Sequence, residues 1–238
     1  MTLPELSPDT WLLLSRTAVI LLTALLGWIT YRSHLLLQVF TPPYNLLTAW
    51  PEQAVRLVFI ALFLLPVYLS GLPAEVFGLV SPRPAATILS GVVLGGIIAV
   101  GVNLLSFWSI RRFGPQIYSP RLLKNILPRR PLDWPLVFLG LLPAALMEEL
   151  LYRSLWLGLF SDLVPPVLLV LFTSLFFGLM HLPQGRLGVA VTAGMNVLLC
   201  LLFYGSNQLL LPLVVHYTVN VVQVITGYVW KDWLFAVN

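Results

Sequence analysis

The stretch WPLVFLGLLPAALMEELLYRSLWLGLF, residues 134–160, decides the fold. It is apolar for longer than the roughly 20 residues needed to cross a bilayer, yet it carries Glu148, Glu149 and Arg153 inside it. Six more apolar runs accompany it, at 11–31, 55–72, 86–109, 165–182, 187–204 and 208–230. The expected fold is therefore all-α, a polytopic membrane helix bundle of about seven (seven to eight) transmembrane helices. The fourth span is over-long, so Pro143 is expected to bend it or to mark its true start.

Composition agrees. The chain has 238 residues, 59% hydrophobic and 9% charged, with a mean hydropathy of +0.93. A soluble domain carries about 25% charge, so these few charges cannot cover a water-facing surface. An ordinary soluble enzyme, a disordered chain and a nucleic-acid partner are excluded on that ground. The single cysteine, Cys200, excludes a disulfide framework and a cysteine-cluster metal site. Glu5 and Asp9 precede the first apolar run, where a cleavable signal would be positive, and Pro4 and Pro8 keep this lead-in irregular. One structural domain is expected: residues 1–133 as N-terminal membrane spans plus a basic loop, and 134–238 as the C-terminal membrane core.

The net charge of +4 reads as topology. Arg111, Arg112, Arg121, Lys124, Arg129 and Arg130 cluster between the third and fourth spans. The positive-inside rule makes this loop, residues 110–131, cytoplasmic and the N-terminus external. Alternation then places Arg32, Arg186 and Lys231 inside and Glu75 and Asp162 outside, with Arg83 the exception. The segment 32–53, holding Pro42, Pro43 and Pro51, reads as a loop with a short interfacial helix around 33–40, and His34 as a solvated loop residue. Gly91, Gly95, Gly96 and Gly101 suggest close helix packing.

Charges at bilayer depth cost at least about 2.5–3.5 kcal/mol on insertion scales and usually carry function. Glu149 and Arg153 are four apart with Glu first, the favourable order for a same-face ion pair. Glu148 is left free to face a cavity as a base. Phe177 and His181 share a helix face, so Phe177 can fix the imidazole. His216 and Asn220 share another, and both can donate hydrogen bonds toward a developing oxyanion. A structural salt bridge is the alternative for Glu149 and Arg153, and an interhelical hydrogen bond for each histidine.

Glu148-Glu149-x-x-x-Arg153, Phe177-x-x-x-His181 and His216-x-x-x-Asn220 together resemble the three ordered motifs of the CPBP (Abi) family, the CAAX-type prenyl endopeptidases and bacteriocin-processing intramembrane proteases. The resemblance covers residues 148–220. It implies a membrane-embedded endopeptidase in which Glu148 acts with His181 to activate water, while His216 and Asn220 stabilise the oxyanion. Glu149, Arg153 and Phe177 are then structural or orienting residues. The implied partners are the lipid bilayer and a membrane-associated peptide or protein substrate, lipidated ones included. The expected location is a prokaryotic plasma membrane.

Glu148, His181 and His216 could alternatively supply a Glu plus two His zinc site. No H-E-x-x-H helix is present to hold a preformed pair, and the metal-free version is favoured, with no cofactor. Two readings from other classes remain: a non-catalytic immunity or scaffold protein, and a proton-coupled transporter using Glu148 and His181. Depth leaves a tension. Glu148 and His216 fall at similar depth, whereas His181 falls near the inner end of span five, about 10 Å away.

Overall fold

The computed structural model describes residues 6–236; Pro4 and Glu5 of the lead-in lie outside the described residues. The chain is helical, with no strand among the described residues. The helices are α1 (Pro8–Val39), α2 (Trp50–Leu69), α3 (Pro84–Phe113), α4 (Arg121–Ile126), α5 (Asp133–Glu149), α6 (Pro166–Met180), α7 (Gly185–Ser206), α8 (Leu210–Val229) and α9 (Lys231–Ala236). Between α5 and α6 the backbone continues as a π-helix, Leu150–Gly158. Six segments among the described residues are long and apolar enough to cross a membrane: α1, α2, α3, Asp133–Gly158, Leu182–Ser206 and α8. The outer helices face lipid. Only 17% of the apolar stretch of α3 is buried in the bundle, against 44% for Asp133–Gly158.

The seventh apolar helix, α6, has 15 residues, about 22 Å at 1.5 Å each, short of a ~30 Å hydrocarbon core. Pro183 ends it, because a residue preceding proline avoids helical backbone. His181, the residue after α6, lines the same cavity as Glu148 and His216, so the expected separation in depth does not keep the three apart. The corner that follows is the single 3₁₀ turn Leu182–Gln184, leading to Gly185 at φ +81°. The loop after α3 covers it: Ser119 N–H donates to Gln184 O at 3.0 Å. A Cβ on Gly185 would meet Ile117 O at 2.9 Å. Irregular backbone at membrane depth is tolerated where protein buries it in this way.

Three local expectations change. Residues 33–39 are no separate interfacial helix: α1 runs unbroken to Val39, and His34 is helical, with its ring 2.9 Å from Gln38 Nε2. Nothing between Tyr31 and Phe40 breaks a helix, whereas Pro42 and Pro43 do. Pro143 does not start the fourth span, because α5 runs through it from Asp133 to Glu149. Of the four glycines in α3, only Gly91 and Gly95 pack closely. A Cβ on either would lie 2.7 Å from Val214 or Thr218 of α8, while Gly96 and Gly101 face open space.

The largest apolar core gathers on the π-helix, where Leu151, Tyr152 and Leu155 are packed with Phe63, Phe77 and Phe177. Its position is set from outside. Ser154 Oγ donates to Phe77 O at 2.7 Å, and Gly158 lies against Val76 O. At the other end, Gln53 Nε2 donates to Gly140 O at 3.5 Å. So α2 and the α5/π-helix run side by side in the same direction. Arg16 of α1 pairs with Asp162, which places the start of α1 at the end of the bundle remote from α4 and α9.

Candidate active site

α5, α6 and α8 bring the polar motifs to one place. Glu149 and Arg153 are wholly buried, with Arg153 Nη1 3.0 Å from Glu149 Oε1. The i,i+4 spacing that predicts this pair holds across the junction into the π-helix. The guanidinium also lies 6.0 Å from the ring centroids of Tyr152 and Phe177. A buried pair of this kind is poor as net stabilisation but costly to break, about 3–5 kcal/mol when one partner is removed.

His216 joins the pair from α8. Its Nδ1 is 2.7 Å from Glu149 Oε1, and its Nε2 is 3.5 Å from Glu148 Oε2. An ionised carboxylate can only accept, so Nδ1–H donates to Glu149 and Nε2 is turned toward Glu148. Glu148, with its side chain 24% exposed, opens into a cavity, whereas Glu149 is sealed beneath it. The two neighbouring glutamates thus have different surroundings although they are adjacent in sequence.

Phe177 stands between the histidines. Its ring centroid is 4.6 Å from that of His181 and 6.0 Å from that of His216, and Tyr152 meets it edge-on at 5.0 Å. His181 Nδ1–H donates to Phe177 O at 2.8 Å, because a carbonyl can only accept. That fixes the imidazole with Nε2 available. Glu148, His181, His216 and Asn220 all line one cavity of about 660 Å³. The cavity wall extends to α4, to Tyr118 and to Trp233 of α9, so it reaches the basic end of the bundle. Burial pushes the Tyr118 phenol up to about 12, which keeps it a neutral donor.

Residues 130–222 match the Rce1-like family, described as type II CAAX prenyl endopeptidase Rce1-like. No curated protein and no solved structure matches the chain. The Rce1-like stretch starts in the loop before α5 and ends in α8 just beyond Asn220, so it contains every site residue singled out from the sequence. It supports a membrane-embedded endopeptidase with membrane-associated protein substrates.

Around this Rce1-like site, no three His, Cys, Asp or Glu side chains among the described residues come together closely enough to hold a metal ion. His216 Nδ1 is engaged by Glu149 and His181 Nδ1 by Phe177. These bonds leave Nε2 of both rings turned to the cavity, while Glu148, His181 and His216 as placed are not grouped closely enough to share one ion. Two features escape the sequence reading. The Glu149–His216 contact joins residues 67 apart, which no local spacing reveals. Arg56 and Glu52 of α2 also line the cavity; their i,i+4 spacing at the start of the second span is the available signal.

Proposed function

We propose that this chain is an intramembrane endopeptidase of glutamic type, its core in residues 134–238. The observation that carries the reading is the convergence of Glu148, His181, His216 and Asn220 from three helices on one cavity wall. Glu148 takes a proton from a water that also donates to His181 Nε2. The resulting hydroxide attacks the scissile carbonyl carbon. His216, protonated on both ring nitrogens in this step, donates from Nε2–H to the oxyanion that forms, and the Asn220 amide donates beside it. Glu148 then returns the proton to the leaving amine.

Glu149 and Arg153 support this from below. Nδ1–H of His216 is held by Glu149, so the ring presents Nε2 to the cavity in a fixed direction. When His216 carries a second proton on Nε2, Glu149 balances its charge and Arg153 balances that of Glu149. Water and substrate enter from the basic end, which the charge bias places in the cytoplasm.

Terminal-peptide proteomics on membranes with and without the protein tests the proposal. New peptide termini are expected with the wild-type chain and none with Glu148→Gln at equal membrane abundance. The same termini in both samples would overturn it in favour of a scaffold.

A further inference from the structure

Three cations surround the short helix α9, where the cavity reaches the basic end of the bundle. Arg111, in the last turn of α3, has its Cζ 4.9 Å from the centroid of the Phe107 ring. Lys124 of α4 has its Nζ 4.8 Å from the Phe235 ring, and Lys231, at the start of α9, 4.4 Å from the Tyr228 ring. Phe107 in turn meets Trp233 at 5.7 Å and Trp230 at 6.2 Å. The rings thus join the end of α3, the α8–α9 corner and α4 into one rim, and each cation rests on a ring face.

The charge of this rim is uncompensated. The ion pairs among the described residues join Arg16 with Asp162, and Arg153 and His216 with the two site glutamates. Asp232, the acid of α9, takes part in none of them, and Asp133 is engaged by the backbone N–H groups of Arg129 and Arg130. Arg111 and Lys124 are exposed and Lys231 is half-buried. Beside them Trp108, Phe113 and Trp230 remain at least half exposed. Tryptophan at the end of a span marks the level of the lipid headgroups, and basic side chains lay their stems on apolar surface while the charge reaches outward. Exposed rings next to free cations match the boundary between headgroups and acyl chains, which covers both. An acidic protein arriving from water would cover only the charges.

We propose that the rim of Arg111, Lys124 and Lys231 is a binding surface for the phosphate headgroups of anionic lipids, in the leaflet at the α4 and α9 end. Each basic side chain near such headgroups strengthens the attraction by about fivefold. The bound headgroups hold α9 at the membrane surface, beside the cavity that Trp230 and Trp233 line. The inference goes beyond the endopeptidase reading and stands without it, since it concerns lipid and not peptide.

The test equilibrates the purified protein with detergent micelles holding equal amounts of phosphatidylcholine and phosphatidylglycerol, recovers it, and quantifies the retained lipid by mass spectrometry. Wild-type protein is expected to retain phosphatidylglycerol at least about fivefold over phosphatidylcholine. The triple variant Arg111→Gln, Lys124→Gln, Lys231→Gln is expected to lose most of that enrichment, and each single variant part of it, which keeps the test open if the triple variant does not fold. The charge-keeping variant Arg111→Lys, Lys124→Arg, Lys231→Arg should retain the enrichment. Arg83→Gln, at the other end of α3, should change nothing. Salt raised from 0.1 M to 1 M shortens the screening length from about 10 Å to about 3 Å and should lower the enrichment. No enrichment in wild-type protein, or the same enrichment in the Gln variants, overturns the inference. So does an equal loss in Arg83→Gln, which would mean that net charge alone acts. Displacement of the lipid by inorganic phosphate at constant ionic strength would show a site for the free anion and overturn the lipid assignment.

Discussion

The imidazole of His216 donates from Nδ1 to Glu149 Oε1 across 2.7 Å, so a residue chosen from sequence as the partner of Arg153 also holds a histidine from another helix. One carboxylate therefore serves two helices. It fixes α8 against α5, and it determines which imidazole nitrogen faces the cavity.

Glu149→Gln is expected to damage both stability and turnover. The amide leaves the Arg153 charge uncompensated in a wholly buried position, at a cost of about 3–5 kcal/mol. It also frees the His216 ring. Glu149→Gln combined with Arg153→Met should regain melting temperature in detergent, because no buried charge is left unpaired, but should not regain kcat. Recovery of both would reduce Glu149 to a structural residue.

Glu148→Gln is expected to behave in the opposite way. Glu148 opens to the cavity and makes no contact with Arg153, so its loss should leave the melting temperature nearly unchanged while turnover falls to background. Parallel melting curves and initial rates check this. A melting shift as large as that of Glu149→Gln would show that the two carboxylates share one structural role.

Much of this site is legible in the sequence because helical spacing is local information. Glu149–Arg153, Phe177–His181 and His216–Asn220 are each four apart, and the backbone period alone puts each pair on one face. The Glu149–His216 bond depends on how α8 docks against α5, a docking that the Tyr217 hydroxyl donating to Phe138 O at 3.1 Å also holds. No local period reports such docking. Hydropathy likewise overstates span five, since the apolar run passes over the backbone stop imposed by Pro183. The opposite error occurs in α1, where hydropathy falls after Tyr31 but the backbone meets no stop until Pro42. The π-helix at Leu150–Gly158 has no composition signal at all; contacts from Phe77 and Val76 hold it.

Close packing makes a second contrast. A Cβ on Gly140 would collide with the backbone carbonyl of Leu47, whereas one on Gly96 or Gly101 meets nothing. Gly140→Ala should therefore destabilise the fold by about 1–3 kcal/mol through overpacking. Gly101→Ala should be neutral, or stabilising by up to about 1 kcal/mol, as alanine is the better helix former. Melting temperatures of the two variants are the measurement, and equal values would contradict the close approach of α5 to the 46–47 segment.

The mechanism makes the base and the oxyanion donors fail differently, and a zinc mechanism adds a loss that zinc can restore. Asn220→Ala removes one donor, which typically costs about 10²–10³ in kcat, or roughly 2.7–4 kcal/mol. KM should change little, because that contact forms mainly in the transition state. Residual turnover should therefore be measurable in Asn220→Ala and absent in Glu148→Gln. If zinc instead sat on Glu148, His181 and His216, each of His181→Ala and His216→Ala would lower metal affinity, and added zinc would rescue activity. In the proposed arrangement turnover needs no metal, so added zinc should rescue neither variant. The deciding measurement is turnover of purified protein after exhaustive chelation, with metal content determined on the same sample. Full activity without metal is expected. Loss on chelation, with recovery on adding zinc, would overturn the glutamic mechanism and leave the endopeptidase standing.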